Sequence, residues 1–453
     1  MSQATKQVIP DDWDVENISS IASKVTDGTH DTPRPVKEGV PFFTAIHIKE
    51  NSIDYGSCYY LPQKIHDEIY KRCNPELGDV LMVNIGAGTA TTALVTVNYH
   101  FSLKNVALIK PNDQKLDGRY LNQSLIFKRE SVLETLSSGG AQPFLSLTQI
   151  GQIKVPVPQL QEQIAIANAL SDVDALLGEL DKLIAKKQAI KTATMQQLLT
   201  GKTRLPQFAT YTDGDKQGQT KGTQPSELGE TPEDWEVKTY GEIFTFLTTA
   251  TNSRSDLSES GKVGYIHYGD IHTKWDNLLN VSKANIPHIS QDKITSAILL
   301  KEGDVIMADA SEDYDGIGKS IEVLNLSEKK IISGLHTFLL RDKNDVFANG
   351  FKGYLHTIVA VKAIFDRLAT GLKVYGLSKA NLKDVPLPVP PKEEQTAIAT
   401  ILSDMDEEIQ ALQQRLSKTR QIKQGMMQEL LTGKTRLPFD KVDTKSQGEP
   451  HAD

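Results

Sequence analysis

The chain has no run of about 18 apolar residues, and its opening, Met1-Ser2-Gln3-Ala4-Thr5-Lys6, lacks the apolar core of a signal peptide. The expectation is a cytoplasmic protein with no membrane association. Cysteine is scarce: Cys58 and Cys73 are the only two, which fits a reducing compartment and argues against a disulfide framework, a thiol metal site or a catalytic thiol. Positive charge is not in excess either. With 50 Lys+Arg against 58 Asp+Glu, the net charge of −8 argues against wrapping nucleic acid by charge alone. Charge is local, however, so this leaves open a restricted contact surface.

Catalytic motifs are also missing. Gly201-Lys202-Thr203 and Gly433-Lys434-Thr435 look like the end of a phosphate-binding loop, but that loop needs a glycine five positions earlier, where Gln196 and Gln428 stand. An adenine-methyltransferase loop of the Asn/Asp-Pro-Pro-aromatic kind is absent, since Pro390-Pro391 precedes Lys392 and Asn74-Pro75 precedes Glu76. His267, Asp270 and His272 match no standard metal-ligand spacing and are read as polar surface. No Ser/His/Asp arrangement can be argued from spacing. The expectation is a chain that is not an enzyme, with no catalytic residue, metal or cofactor of its own.

What is present is a duplication. Leu145–Pro206 and Leu377–Pro438 align without a gap at an offset of 232 residues, with about half the positions identical. Ala165-Ile166-Ala167 answers Ala397-Ile398-Ala399, Leu170-Ser171-Asp172 answers Leu402-Ser403-Asp404, and Leu198-Leu199-Thr200-Gly201-Lys202-Thr203-Arg204-Leu205-Pro206 recurs unchanged at Leu430 to Pro438. At 453 residues, 39% hydrophobic and 24% charged, the chain is long enough for two to four globular domains.

Each repeat reads as one long helix. Val155-Pro156-Val157-Pro158 and Leu387-Pro388-Val389-Pro390-Pro391 forbid an earlier start. Apolar residues then step by four and three: Ile166, Leu170, Val173, Leu177, Leu180 and Ile184, matched by Ile398, Leu402, Met405, Ile409, Leu412 and Leu416. That is a heptad seam. Further on, Lys187 and Lys191, like Thr419 and Lys423, fall on seam positions, so the stripe is expected to shift to Ile190, Met195 and Leu198, or Ile422, Met427 and Leu430, as the supercoil loosens. Gly201 and Gly433 stand where a left-handed cap belongs, with Pro206 and Pro438 beyond. A helix over Gln161–Thr200 would be about 60 Å long. Its natural partner is its own copy. An antiparallel pairing is favoured because it relates the two halves by a two-fold axis, with two unrelated amphipathic helices as the alternative. The basic residues near the repeat ends, Lys182, Lys186, Lys187, Lys191, Lys202 and Arg204, and Arg415, Lys418, Arg420, Lys423, Lys434 and Arg436, are mostly explained by the helix dipole and solvation. Phosphate contact is the alternative for them.

The segments ahead of the helices correspond more faintly. Pro10-Asp11-Asp12-Trp13 answers Pro232-Glu233-Asp234-Trp235, and Gly78-Asp79-Val80 answers Gly303-Asp304-Val305. Trp13 and Trp235 are read as core anchors. Short β-rich runs (Val80–Val83, Asn105–Ile109, Gly264–Ile266) alternate with helical stretches at Lys64–Arg72 and Gly353–Leu368, which suggests two mixed α/β domains of about 140 residues. Gln207–Gly229 is poor in apolar residues and is read as a flexible linker. The expected organisation is a recognition domain over 1–144, a spacer helix over 145–206, the linker over 207–229, a second recognition domain over 230–376, a second spacer helix over 377–438 and a disordered tail over 439–453.

Two similar domains with divergent surfaces, held apart by a rod, suit a bipartite ligand, and duplex DNA with two half-sites is the natural candidate. With its doubled Pro-Val-Pro, Ala-Ile-Ala and Leu-Ser-Asp opening, its doubled Leu-Leu-Thr-Gly-Lys-Thr-Arg-Leu-Pro ending, and Leu228 to Trp235 opening the second variable half, the chain resembles the specificity subunit of a type I restriction–modification system. The resemblance runs over nearly its full length. It implies that the variable halves recognise double-stranded DNA and that the repeats are spacer helices which dock modification (methyltransferase) subunits, two of them expected. Restriction subunits would join through the complex. S-adenosylmethionine, ATP and Mg would then belong to the partner subunits. A coiled-coil scaffold joining two protein-binding domains is the competing reading.

Residues that could read bases are sought among polar donors in turn-like segments. In the first domain these are Thr29, His30, Thr32 and Arg34, then Lys49, then Asn84, Thr89 and Thr91. In the second they are Thr248, Asn252 and Arg254, then His267, Tyr268, His272 and Lys274, then Ser311 and Lys319. Arg and Lys suit guanine, Asn suits adenine, and Thr can meet the thymine methyl.

Overall fold

The computed structural model describes residues 9–135, 143–294, 296–371 and 373–438. The tail expected over 439–453 lies outside the described residues. The chain divides into two compact units, one made of the chain up to Asp181 together with the chain from Gln414 onward, the other of Lys182–Gln413.

In the first unit an antiparallel sheet has the order Ala22–Asp27, Val106–Pro111, Val80–Val83, Thr92–Leu94. Val80–Val83 is apolar throughout and buried at every position, as a central strand covered on both faces must be. A second sheet orders Tyr59–Leu61, Val40–Thr44, Ser102–Lys104, the last two strands running parallel. The helix Gly118–Glu134 closes the core with Tyr120, Leu121 and Leu125, and Asp117 caps it by accepting from the Arg119 and Tyr120 amides. The helix expected at Lys64–Arg72 is present as Gln63–Arg72.

The second unit repeats this plan with additions. Its main sheet orders Phe244–Leu247, Thr337–Asp342, Val305–Ala308, Ser320–Leu324, and a fifth strand, Leu278–Asn280, is added in parallel at the edge. Its second sheet again holds a parallel pair, Val263–Ile266 with Ile331–Ser333. The helix read over Gly353–Leu368 is interrupted: a 3-10 segment, Lys352–Thr357, gives way at Ile358, in extended backbone, to the α-helix Val359–Leu368. The β-branched run Thr357-Ile358-Val359 resists continuous helix. Gln196 occupies the gap, donating to the Thr357 carbonyl at 2.8 Å and accepting from the Val359 amide.

The proline-rich approaches are strands. Lys154–Val157 pairs antiparallel with Asp14–Asn17, and Pro386–Val389 with Glu236–Thr239. The long helices follow, Leu160–Leu198 and Lys392–Leu430, 39 residues each. All twelve seam positions are buried or partly buried. In the first unit Ile166 and Leu170 pack on Met427, Leu430 and Leu431; in the second, Ile398 and Leu402 pack on Met195, Leu198 and Leu199. The helix segments run antiparallel. Partners move in opposite directions along the chain, from Glu162 with Arg436 to Asp174 with Lys423 and Asp181 with Arg420 in the first unit, and from Lys187 with Glu408 to Lys191 with Asp406 and Arg204 with Glu394 in the second.

Two expectations are corrected. Of the shifted stripe, Met195, Leu198, Met427 and Leu430 are buried as expected, but Ile190 and Ile422 are 41% and 48% exposed, and the seam position Lys191 is itself only 9% exposed. The segment over 207–229 is structured. It begins in the short helix Pro206–Ala209 and ends in a hairpin that pairs Thr223–Ser226 with Gly229–Pro232. Tyr211 organises it by donating to Glu233 at 2.5 Å while Lys216 and Lys221 lie over its ring. One aromatic with two cations and a carboxylate supplies what the missing apolar residues do not.

Candidate nucleic-acid interface

The framework that holds any interface is built from the doubled motifs. Each long helix ends in a glycine with left-handed φ, Gly201 at 69° and Gly433 at 73°, and two residues later the amide of Thr203 or Thr435 reaches back to the carbonyl of Gln197 or Glu429. A Cβ on Gly201 would lie 2.3 Å from Pro232 Cγ, and one on Gly433 2.4 Å from Pro10 Cγ. The glycine is therefore required by both φ and space. Trp235 Nε1 donates to Glu394 Oε2 at 3.0 Å, and Trp13 Nε1 to Glu162 Oε2 at 3.2 Å. Arg204 forks between Glu394 and Asp234 and lies over the Trp235 ring; Arg436 does the same with Glu162, Asp12 and Trp13. Burial opposes charge on Arg204, but its bonds to Glu394 and Asp234 outweigh that and raise its pKa. Hydrogen bonding to Asp12 and Glu162 raises that of Arg436 well above its usual value. Both arginines are engaged by two carboxylates of the framework.

A second node ties each helix pair to its domain. Asp406 meets Lys191 and accepts from the Tyr354 hydroxyl at 2.8 Å. The equivalent Asp174 meets Lys423 at 2.7 Å and accepts from Asn51 Nδ2 at 2.9 Å and Gln123 Nε2 at 2.8 Å. A seam lysine is tolerated because a carboxylate on the facing helix neutralises it.

The candidate reading residues divide by burial. In the first unit His30, Thr32, Arg34 and Lys49 are exposed and Thr29 is half-buried. Thr32 Oγ1 accepts from Lys104 Nζ, His30 Nδ1 lies 3.1 Å from Asn105 Oδ1, and His30 Nε2 lies 2.9 Å from Asp27 Oδ2. Asn84, Thr89 and Thr91 are 2%, 1% and 8% exposed, so these three do not present a reading surface. Their turn folds inward, with Thr89 Oγ1 donating to the Gly86 and Pro143 carbonyls. Glycine-rich polar sequence signalled a turn, and the turn is internal.

In the second unit most candidates converge. Arg254 NH2 and Lys274 Nζ each lie 3.0 Å from Asp270 Oδ1. Tyr268 packs between His267, His272 and His336, with ring centroids 4.6, 6.0 and 5.4 Å away. His272 Nε2 meets the Ala310 carbonyl at 3.0 Å, and Lys319 Nζ donates to the His272 carbonyl. His267 and Ser311 are buried at 7% and 4% exposure and act from beneath, His267 by accepting from the Gly269 amide and Ser311 by capping Asp313. Burial lowers the His267 pKa, with Arg254 adding to it. Thr248 is exposed on the neighbouring strand end, and Asn252 donates to the Lys293 carbonyl. Sequence reasoning missed Arg72, which pairs with Asp27, and His336, which stands in left-handed backbone at φ 56°. Distance along the chain hides both. Among the described residues no group of three or more His, Cys, Asp or Glu side chains is arranged to hold a metal ion, and no helix is long and apolar enough to cross a membrane.

Two like domains, each joined to antiparallel helix segments by the same Gly-Trp-Glu-Arg node, define a duplicated recognition architecture. The chain belongs to the type I restriction modification DNA specificity domain family, whose model matches twice, over residues 10–192 and 232–420. It is 25% identical over 442 residues to the MjaX type I restriction enzyme specificity subunit of Methanocaldococcus jannaschii, covering 95% of each chain. To the MjaVIII specificity subunit of the same organism it is 25% identical over 438 residues, covering 95% of this chain and 94% of the relative. Among solved structures, the S subunit of a type I restriction–modification system from M. genitalium matches with a TM-score of 0.56 at 16% identity, over 95% of this chain and 98% of the other. A chain from a study of complex assembly and conformational transition of the type I R-M system matches at 0.52 and 15%, over 94% and 100%. This chain is accordingly a specificity subunit of the type I restriction–modification kind, with a role in DNA sequence specificity.

Proposed function

We propose that the two recognition domains, assigned to residues 1–144 and 230–376, each read one half of a bipartite duplex DNA target, and that the helices in 145–206 and 377–438 set the spacing between the halves. The single observation that carries this reading is the contrast between the two parts of the duplication. The helix residues repeat at a constant offset of 232 and the node residues Asp12 and Trp13 recur as Asp234 and Trp235, whereas the polar clusters of the two domains use different side chains. A frame that is copied and surfaces that are not is what two unlike half-sites on one ruler require.

The chain itself carries out no chemistry in this reading. It recruits two modification subunits through the helices, and restriction subunits join the assembly; methyl transfer and cleavage take place on those partners. Contacts to bases come from Thr29, His30, Thr32, Arg34 and Lys49 in the first domain. Thr248, Asn252, Arg254, Tyr268, His272, Lys274 and Lys319 serve in the second. The test is to assemble the purified full chain with its modification subunit and select from a random DNA pool. Two short defined sequences separated by a fixed number of unspecified base pairs are expected. A single uninterrupted site, or no selection, would overturn the reading.

A further inference from the structure

Asp270 has no exposed surface, yet its two nearest charged partners are largely open: the Arg254 side chain is 54% exposed and that of Lys274 41%. Both cations use the same oxygen, Oδ1, while Oδ2 is buried without a hydrogen-bond partner among the described residues. A carboxylate buried in this way is a poor device for stability. It bears full desolvation and leaves one oxygen idle, where an apolar side chain of similar size would pack at lower cost. What it does supply is direction. Arg254 is bound through NH2 alone, so its other N–H donors remain available, and Lys274 keeps two of its three.

The mounting is rigid. Asp270 lies on the short helix Tyr268–Thr273, whose first turn is capped by His267 and whose Thr273 hydroxyl donates to the Gly269 carbonyl at 2.7 Å. The first unit arrives at the same device from different elements. Asp27, at the end of the strand Ala22–Asp27 and 4% exposed, stands between Arg72, at the end of a helix, and His30; their side chains are 56% and 59% exposed. One buried carboxylate beneath two open nitrogen donors therefore occurs once per domain, from residues in unlike local structure.

We infer that Asp270 is a positioning residue that aims Arg254 and Lys274 at the acceptor edge of a guanine in one half of the DNA target, and that Asp27 does the same for Arg72 in the other. The inference rests on the bipartite reading proposed above. Guanine is the base that offers two acceptors, O6 and N7, on its major-groove edge, which a donor-only pair held in a fixed direction matches. A phosphate would need charge and no fixed direction, and the buried carboxylate cancels one of the two charges.

The test uses the full chain assembled with its modification subunit, methylating duplexes varied one base pair at a time. The wild-type assembly must first prefer two half-sites, each with at least one G·C pair. D270N and R254K should then each lower guanine preference about tenfold at the same position of one half-site. The other half-site should be unchanged, and R72K should do the converse. Thermal unfolding of R254K, which leaves Asp270 in place, separates a loss of aim from a loss of fold. Unchanged preferences in D270N and R254K, or a uniform weakening at every position, would overturn the inference while leaving the bipartite reading intact. A wild type without two half-sites would overturn both.

Discussion

Replacing Gly201 by alanine tests the junction between helix and domain in the second unit. The backbone there has φ of 69°, which costs an L-residue about 1–2 kcal/mol. The new methyl would also stand 2.3 Å from Pro232 Cγ and 2.5 Å from Cδ, atoms of a rigid ring that packs beside Trp235, itself 2% exposed. Forcing one methyl into such a site adds about 1–3 kcal/mol. G201A is therefore expected to destabilise by about 2–5 kcal/mol, and G433A, set against Pro10 at 2.4 Å, by a similar amount. Gly178 gives the control. It lies inside the long helix with nothing within 4 Å of its Cβ position, so G178A should stabilise by about 0.5–1 kcal/mol. Urea unfolding of the three variants, followed by tryptophan fluorescence at Trp13 and Trp235, gives opposite signs if the reasoning holds. A neutral G201A, or shifts of the same sign in G201A and G178A, would refute it.

Two further outcomes follow from the same geometry. R204A should cost about 3–5 kcal/mol, because Glu394, 1% exposed, would lose the fork that neutralises it, and double-mutant cycles with E394Q should show strong coupling between the two. His356, hydrogen-bonded through Nδ1 to Ser320 Oγ and the Gly353 carbonyl, has its pKa lowered to about 4 by burial. Its folded pKa lies below the unfolded value of about 6.5, so the unfolded chain takes up the proton first and stability falls as pH drops from about 6.5 to 4. The loss is at most about 3–4 kcal/mol, and comparing H356N with the wild type at pH 7.5 and 4.5 should show that part of the slope removed.

Much of the frame was legible because its signals are local and doubled. Proline, heptad, glycine and proline recur in order, and each marks a boundary by backbone restriction alone. The seam lysines misled because a cation at a core position ordinarily breaks a stripe; here Asp406 and Asp174 on the facing helices neutralise Lys191 and Lys423, and sequence spacing does not report that pairing. Gln207–Gly229 misled for a related reason, since Tyr211 orders it through charge rather than apolar area. The candidate interface was half legible. Arg254 and Lys274 were identifiable as donors, but Asp270, read as polar surface, is fully buried beneath them, and Arg72 lies 45 residues from Asp27. Asn84, Thr89 and Thr91 show the converse error, in which turn composition says nothing of which side of the turn faces solvent.

The central claim is that the helices measure the distance between two half-sites. Adding one heptad to both helices at equivalent positions keeps the seam in register and lengthens each by about 10 Å. Target selection with this variant and the modification subunit should return both original half-sites with a spacer longer by up to about three base pairs. Recovery of both half-sites with the spacer unchanged would contradict the account.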